Sequence, residues 1–247
     1  WDFELNELVL GSSANDNVLK GMSVVTDDAM NLAYVTGIMT DVVGVVDLAT
    51  RALLRTYALS NTTQSTKKLA FDDLSRQLWC VSNKTDCTLW LTDPDSGTVL
   101  GERDISSEIG SSGGSYPIQS VVVDPLRQRF YALSNNFAGS RVLVYDSTLT
   151  LIDQILDGIT VWTLRWDESN DALLALTAPK LSSGVLPQMH RLPAGDESSM
   201  TSVTLTLPAG AILNPSLFTH NASGDLFLAS GKFVWKASGV TGNPIWV

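Results

Sequence analysis

Ionisable residues set at a fixed interval are the first feature of this sequence with chemical potential. Asp72, Asp124 and Asp167 each precede a hydroxyl residue by ten positions (Ser82, Ser134, Thr177), His220 precedes Ser230 by the same ten, and Asp27 precedes Thr36 by nine. General acid–base or metal chemistry needs two to four such groups converging on one point. A turn needs only one, because an Asp oxygen can accept the backbone N–H groups two or three residues further on and fix a tight reversal. Each acid here lies between two apolar runs, as in KLAFDDLSRQLWCVSN and SVVVDPLRQRFYALSN. That placement favours the turn, with His220 standing in for Asp.

The other histidine, His190 in PQMHRL, reads as a packing residue of a strand. Motifs of the form GxSxG, HExxH, paired CxxC and Walker A are absent, so the commonest hydrolases and nucleotide-triphosphate enzymes are not expected. Asp93, Pro94, Asp95, Ser96 and Gly97 begin like a calcium loop but lack its later oxygen ligands and closing bidentate acid. No catalytic residue, metal site or cofactor is expected.

The acids and hydroxyls punctuate a repeat. MSVVTDDAMNLAYVTG, KLAFDDLSRQLWCVSN, SVVVDPLRQRFYALSN, TLRWDESNDALLALTA and SLFTHNASGDLFLASG share one layout of strand, turn and strand. A third strand follows in VVGVVDL, TLWLTD, RVLVYD, PQMHRL and KFVWK, and a fourth in ALLRTYAL, TVLGERDI, LIDQILDG and TSVTLTL. Four antiparallel strands repeated side by side make an all-β fold, a β-propeller, in which stacking between like neighbours covers both faces of each sheet. The spacing predicts five blades, at about 22–65, 66–116, 117–157, 158–211, and 212–247 joined by 1–20, in one domain spanning 1–247. In this reading the N-terminal strand WDFELNELVL completes the last blade. A fragment of a larger ring fits the same arithmetic.

A net charge of −10 without a Lys/Arg cluster argues against nucleic acid. No apolar run is long enough for a membrane span, and the sequence starts at Trp1 without Met or a basic, apolar leader, so a soluble, processed protein is expected. Cys80 and Cys87 flank a polar turn between two strands. They read either as a cross-strand disulfide, which would add about 2.5 kcal/mol and imply an oxidising compartment, or as two buried thiols. Asn61, Asn83 and Asn221 head glycosylation sequons in predicted turns, which points with the cysteine pair towards an extracellular or cell-surface location.

The stretch AYVTGIMTDVVGVVDLATRALL (33–54) resembles the repeat of the YVTN, or surface-layer, propeller family, with Gly37 where that family has Asn. The match covers one repeat of about 25 residues and fades elsewhere to strand layout and the Asn83 and Asn135 positions. The resemblance implies a secreted or surface propeller that binds or scaffolds, and it transfers no catalytic residue. Those relatives commonly have seven blades, which the five counted here do not match.

Among the tryptophans, Trp79, Trp90 and Trp235 read as packing between blades, and Trp162 as a residue near a strand end that could meet a ligand. The connections from strand 2 to 3 and from strand 4 to the next strand 1 are the long ones, and they share one side of each sheet. A recognition surface is therefore expected from Tyr116, Asn135, Asn136, Phe137, Trp162 and Lys180. The expected function is a non-enzymatic binding or scaffold module for a glycan or protein, or a subunit of an extracellular assembly joined through the N-terminal strand. The alternative is a propeller hydrolase such as a metal-dependent lactonase, which needs oxygen or imidazole ligands converging from first strands that are here mostly Val, Leu, Phe and Trp.

Overall fold

The computed structural model describes residues 21–37, 42–59, 66–82, 87–109, 118–136, 139–177, 186–196, 198–206, 217–220, 226–230, 233–238, 241 and 243–246. These residues form five four-stranded antiparallel sheets, each in sequence order. Sheet 1 contains β1 (Gly21–Asp27), β2 (Leu32–Gly37), β3 (Val42–Asp47) and β4 (Leu53–Ala58). Sheet 2 contains β5 (Thr66–Asp72), β6 (Gln77–Ser82), β7 (Thr88–Asp93) and β8 (Thr98–Asp104). Sheet 3 contains β9 (Ile118–Asp124), β10 (Arg129–Asn136), β11 (Gly139–Tyr145) and β12 (Leu151–Ile155). Sheet 4 contains β13 (Val161–Asp167), β14 (Ala172–Thr177), β15 (Gln188–Pro193) and β16 (Thr201–Thr204). Sheet 5 contains β17 (Leu217–His220), β18 (Leu226–Ser230), β19 (Phe233–Ala237) and β20 (Pro244–Trp246). A one-turn helix, α1 (Ser106–Ile109), follows β8.

The chain divides into two compact units, Trp1–Phe137 with Val144–Asp153, and Ala138–Leu143 with Gln154–Val247. In the first unit the sheets stack face to face. Val25, Leu32, Tyr34, Val43, Val45 and Tyr57 of sheet 1 meet Leu69, Phe71, Leu78, Cys80, Trp90 and Val99 of sheet 2. The other side of sheet 2 lays Trp79 flat on Phe130 of sheet 3, with ring centroids 5.0 Å apart. The period-two alternation of strands sends successive side chains to opposite neighbours, so near-continuous apolar strands such as QLWCVS are buried along their length. In the second unit Leu174, Leu176, Met189 and Leu205 pack with Leu226, Leu228 and Ala237.

The cysteines are not joined to each other. Cys80 pairs with Trp90, so Cys87 sits three residues further along the adjacent strand, about 10 Å away at the strand rise and on the opposite face. That exceeds the reach of a disulfide. Both thiols are buried, and burial pushes the Cys80 thiol well above its usual value.

Two further differences concern register. Gly37, not Thr36, occupies the place of Ser82, Ser134 and Thr177: Gly21↔Gly37 corresponds to Thr66↔Ser82, Ile118↔Ser134 and Val161↔Thr177. With Gly37 as reference the interval of ten is uniform. In sheet 5 the fourth place is taken by β20, three residues long, where the sequence pattern places the N-terminal strand; residues 1–20 lie outside the described residues.

Candidate functional site

Each sheet has an acid end, where the β1–β2-type and β3–β4-type turns lie, and a hydroxyl end, where its other connections emerge. At the acid end Asp27, Asp72, Asp124 and Asp167 close their first strands and are all buried. Asp72 Oδ1 accepts the amides of Leu74 and Ser75, at 3.0 and 3.1 Å, and Asp124 Oδ1 those of Leu126 and Arg127 at the same distances. Asp27 accepts the Met30 amide and Asp167 the Asn170 amide. The residue four after each acid, Asn31, Arg76, Gln128 or Asp171, takes a left-handed φ of 46° to 54°, which completes the reversal. His220 closes β17 as the acids close the other first strands.

Cations complete these turns. Arg127 donates to Asp124 at 3.1 Å and Arg191 lies 3.3 Å from Asp167, while Arg76 of sheet 2 crosses to Asp27 of sheet 1 at 2.8 Å and also meets Asp95. Burial works to raise the Asp27 carboxyl, and Arg76, the Met30 amide and the Tyr34 hydroxyl together outweigh it, leaving the pKa below its ordinary value. The same burial and the Asp27 charge push the Tyr34 phenol up to about 12.

A second series of acids, not recognised as a series from the sequence, occupies the β3–β4-type turns. Asp47 accepts from Thr50, Asp93 from Ser96, Asp146 from Thr148 and Asp196 from Ser199. The readable signal is an Asp followed two or three residues later by Ser or Thr. Asp93, the candidate calcium residue, is thereby engaged with Ser96 and the Asp95 amide. Among the described residues no group of three or more His, Cys, Asp or Glu could hold a metal ion.

His190 comes nearest to nucleophilic chemistry. Its Nδ1 lies 2.7 Å from Ser202 Oγ, and burial lowers its pKa. Its Nε2 is buried without a partner among the described residues. A buried N–H left unbonded costs more than a bare lone pair, so the proton belongs on Nδ1, donated to Ser202. In that tautomer Nδ1 donates and does not take the serine's proton, and among the described residues no acid orients the ring.

The hydroxyl end is built differently. In sheets 1 to 4 the first strand carries a β-bulge there, which places Met22, Lys67, Gln119 and Trp162 as the extra residues. Bulges re-aim side chains and recur beside binding sites. Trp162 is 42% exposed. Thr177 is engaged with the backbone of Gln188, whereas the Thr36 and Ser134 hydroxyls are buried without partners among the described residues. The β8–β9 connection starts from a firm anchor: Glu108 of α1 is ion-paired with Arg103 and accepts from Tyr145 Oη at 2.6 Å, and Ser106 Oγ accepts the Cys87 amide.

Of the expected recognition residues, Trp162 is described in full. Asn135 and Asn136 end β10, with side chains outside the described set, and Tyr116, Phe137 and Lys180 lie outside it altogether, as do Asn61, Asn83 and Asn221. The bulges and the Arg103–Glu108–Tyr145 anchor escaped the sequence-based expectations, because neither leaves a motif.

No family model matches the sequence, and no curated protein does. Solved structures do. A structure titled "Crystal structure of Nidogen/Laminin Complex" is similar over 91% of this chain and 78% of that one, with a TM-score of 0.63 and 14% identity. One titled "Crystal Structure of Mitotic Checkpoint Complex" is similar over 96% of this chain and 66% of that one, at 0.63 and 13%. The fold defined by these likenesses and by the four-stranded sheets is all-β and propeller-like. No helix among the described residues is long and apolar enough to cross a membrane.

Proposed function

We propose that this protein is a non-catalytic β-propeller binding module of the cell exterior or surface, with five blades and a relationship to the YVTN repeat proteins. Its partner is a protein, engaged from the hydroxyl end. The observation that carries this reading is the bulge that leaves Trp162 exposed, while the acids of the opposite end are bound into turns. The titles of the similar structures name complexes, which supports a protein partner over a glycan. The Nδ1–H tautomer of His190 counts against a hydrolase.

The test is a parallel screen of wild type, Trp162→Ala and Leu126→Ala against a panel of extracellular proteins and a glycan array. Leu126 is an exposed residue of the acid end. A protein partner lost by Trp162→Ala and kept by Leu126→Ala is expected; loss by Leu126→Ala alone, or glycan binding alone, overturns the reading. Intact mass before and after deglycosylation tests Asn61, Asn83 and Asn221 and with them secretion.

A further inference from the structure

Within the first unit the inner strands β1, β5 and β9 run side by side, and the Leu69 amide of β5 donates to Ser23 Oγ of β1 at 3.1 Å. Their sequences are GMSVVTD, TKKLAFD and IQSVVVD. Their acids, Asp27, Asp72 and Asp124, all lie at the acid end and are held in turns. At the hydroxyl end these three strands carry instead Ser23, Lys67, Lys68, Gln119 and Ser120, in a protein of net charge −10, and the acids described at that end of sheet 2, Asp104 and Glu108, are engaged by Ser106 and by Arg103 and Tyr145.

Lys68 is the anomaly. It pairs with Val81, two positions from the Ala70–Trp79 pair, so strand alternation places it on the side of sheet 2 that faces sheet 3, above the Trp79–Phe130 stack. It is half-buried, and it has no hydrogen-bond or ion-pair partner among the described residues. Burial lowers its pKa with no opposing contribution from an acid. A charge held partly out of water without a counter-charge is costly to the fold, and such groups concentrate where a ligand supplies what is missing. Bulges at positions 67 and 119 flank it, and bulges recur beside binding sites.

We propose that Lys68, between the bulged positions Lys67 and Gln119, is the seat for a carboxylate of the protein partner, from an acidic side chain or a free C-terminus. The inference rests on the protein-binding reading and names the chemistry that the partner presents. A carboxylate entering beside Lys68 restores the counter-charge through a charge-assisted hydrogen bond.

The probes are short labelled peptides rich in Asp and Glu with amidated ends, their Asn and Gln counterparts with free or amidated C-termini, and a uronate oligosaccharide. Each is titrated by fluorescence anisotropy against wild type, Lys68→Met and Lys68→Arg, and each protein is thermally denatured. Acidic peptides, or free C-termini, bind wild type; Kd rises by at least about tenfold in Lys68→Met, Lys68→Arg recovers most of the loss, and Lys68→Met melts no lower than wild type. Equal binding of acidic and neutral amidated peptides, no peptide binding, unchanged affinity in Lys68→Met, or binding of the oligosaccharide alone overturns the proposal. A partner found through Trp162 that Lys68→Met retains in full removes this seat and leaves the protein-binding reading standing.

Discussion

The two ends of these sheets follow opposite rules. At the acid end the turns after the first strands of sheets 1 to 4 share one bonding scheme: a buried carboxylate, one or two backbone amides, a left-handed residue at a fixed place and, for Asp27, Asp124 and Asp167, an Arg. At the hydroxyl end the strands bulge and a tryptophan stands in solvent, and among the described residues the buried hydroxyls of Thr36 and Ser134 lack partners and Lys68 has no counter-ion. The difference teaches that recurrence alone does not mark function. The most regular residues here are those whose bonding is complete, and the irregular end is the one with unmet capacity.

Substitutions can break or sharpen that contrast. The largest effect is expected for Asp72→Ala, which strands the Leu74 and Ser75 amides and should cost about 3 kcal/mol in urea denaturation. Gly97→Ala comes next, at about 2 kcal/mol, because Gly97 has φ +75° and a new Cβ would stand 2.7 Å from Tyr57 Cγ. Arg76→Met should cost about 1 kcal/mol, with a pH signature. The Asp27 pKa is depressed in the folded state, so its stabilisation is fully present above the unfolded-state value near 4 and is lost as pH falls through the lower folded value. The gap between wild type and Arg76→Met should thus be flat above about pH 5 and shrink below about pH 4. The smallest effect belongs to the other end: Ser134→Ala should stay within about 0.5 kcal/mol of wild type, or gain slightly, since it removes a hydroxyl with no partner among the described residues. A loss above about 1.5 kcal/mol there would erase the contrast.

Much of the fold was legible because strands and turns write themselves locally. Val, Leu and Trp runs ending at Asp identified the strands, and an Asp oxygen can cap a turn without help from distant residues. Register was not, since Thr36 and Gly37 differ by one position and only the partner strand tells which lies opposite Gly21. The choice between the two readings of the cysteines was illegible for the same reason: six intervening residues allow a bridge, and only the Cys80–Trp90 pairing decides for two buried thiols. The candidate site was less legible still. An exposed Trp162 could be suspected from its place near a strand end, whereas Lys68 is one lysine among several until the sheets around it reveal that it lacks a counter-charge among the described residues.

The buried, unjoined thiols carry a practical consequence. Cys80 belongs to the core shared with sheet 1, and Cys87 lies on the opposite side of sheet 2, close enough to influence Tyr145 of sheet 3. A thiol-reactive dye can reach either sulfur only when the corresponding seam gapes. Single-cysteine versions would therefore act as two stopwatches within one sheet, timing how often each of its neighbours lifts away.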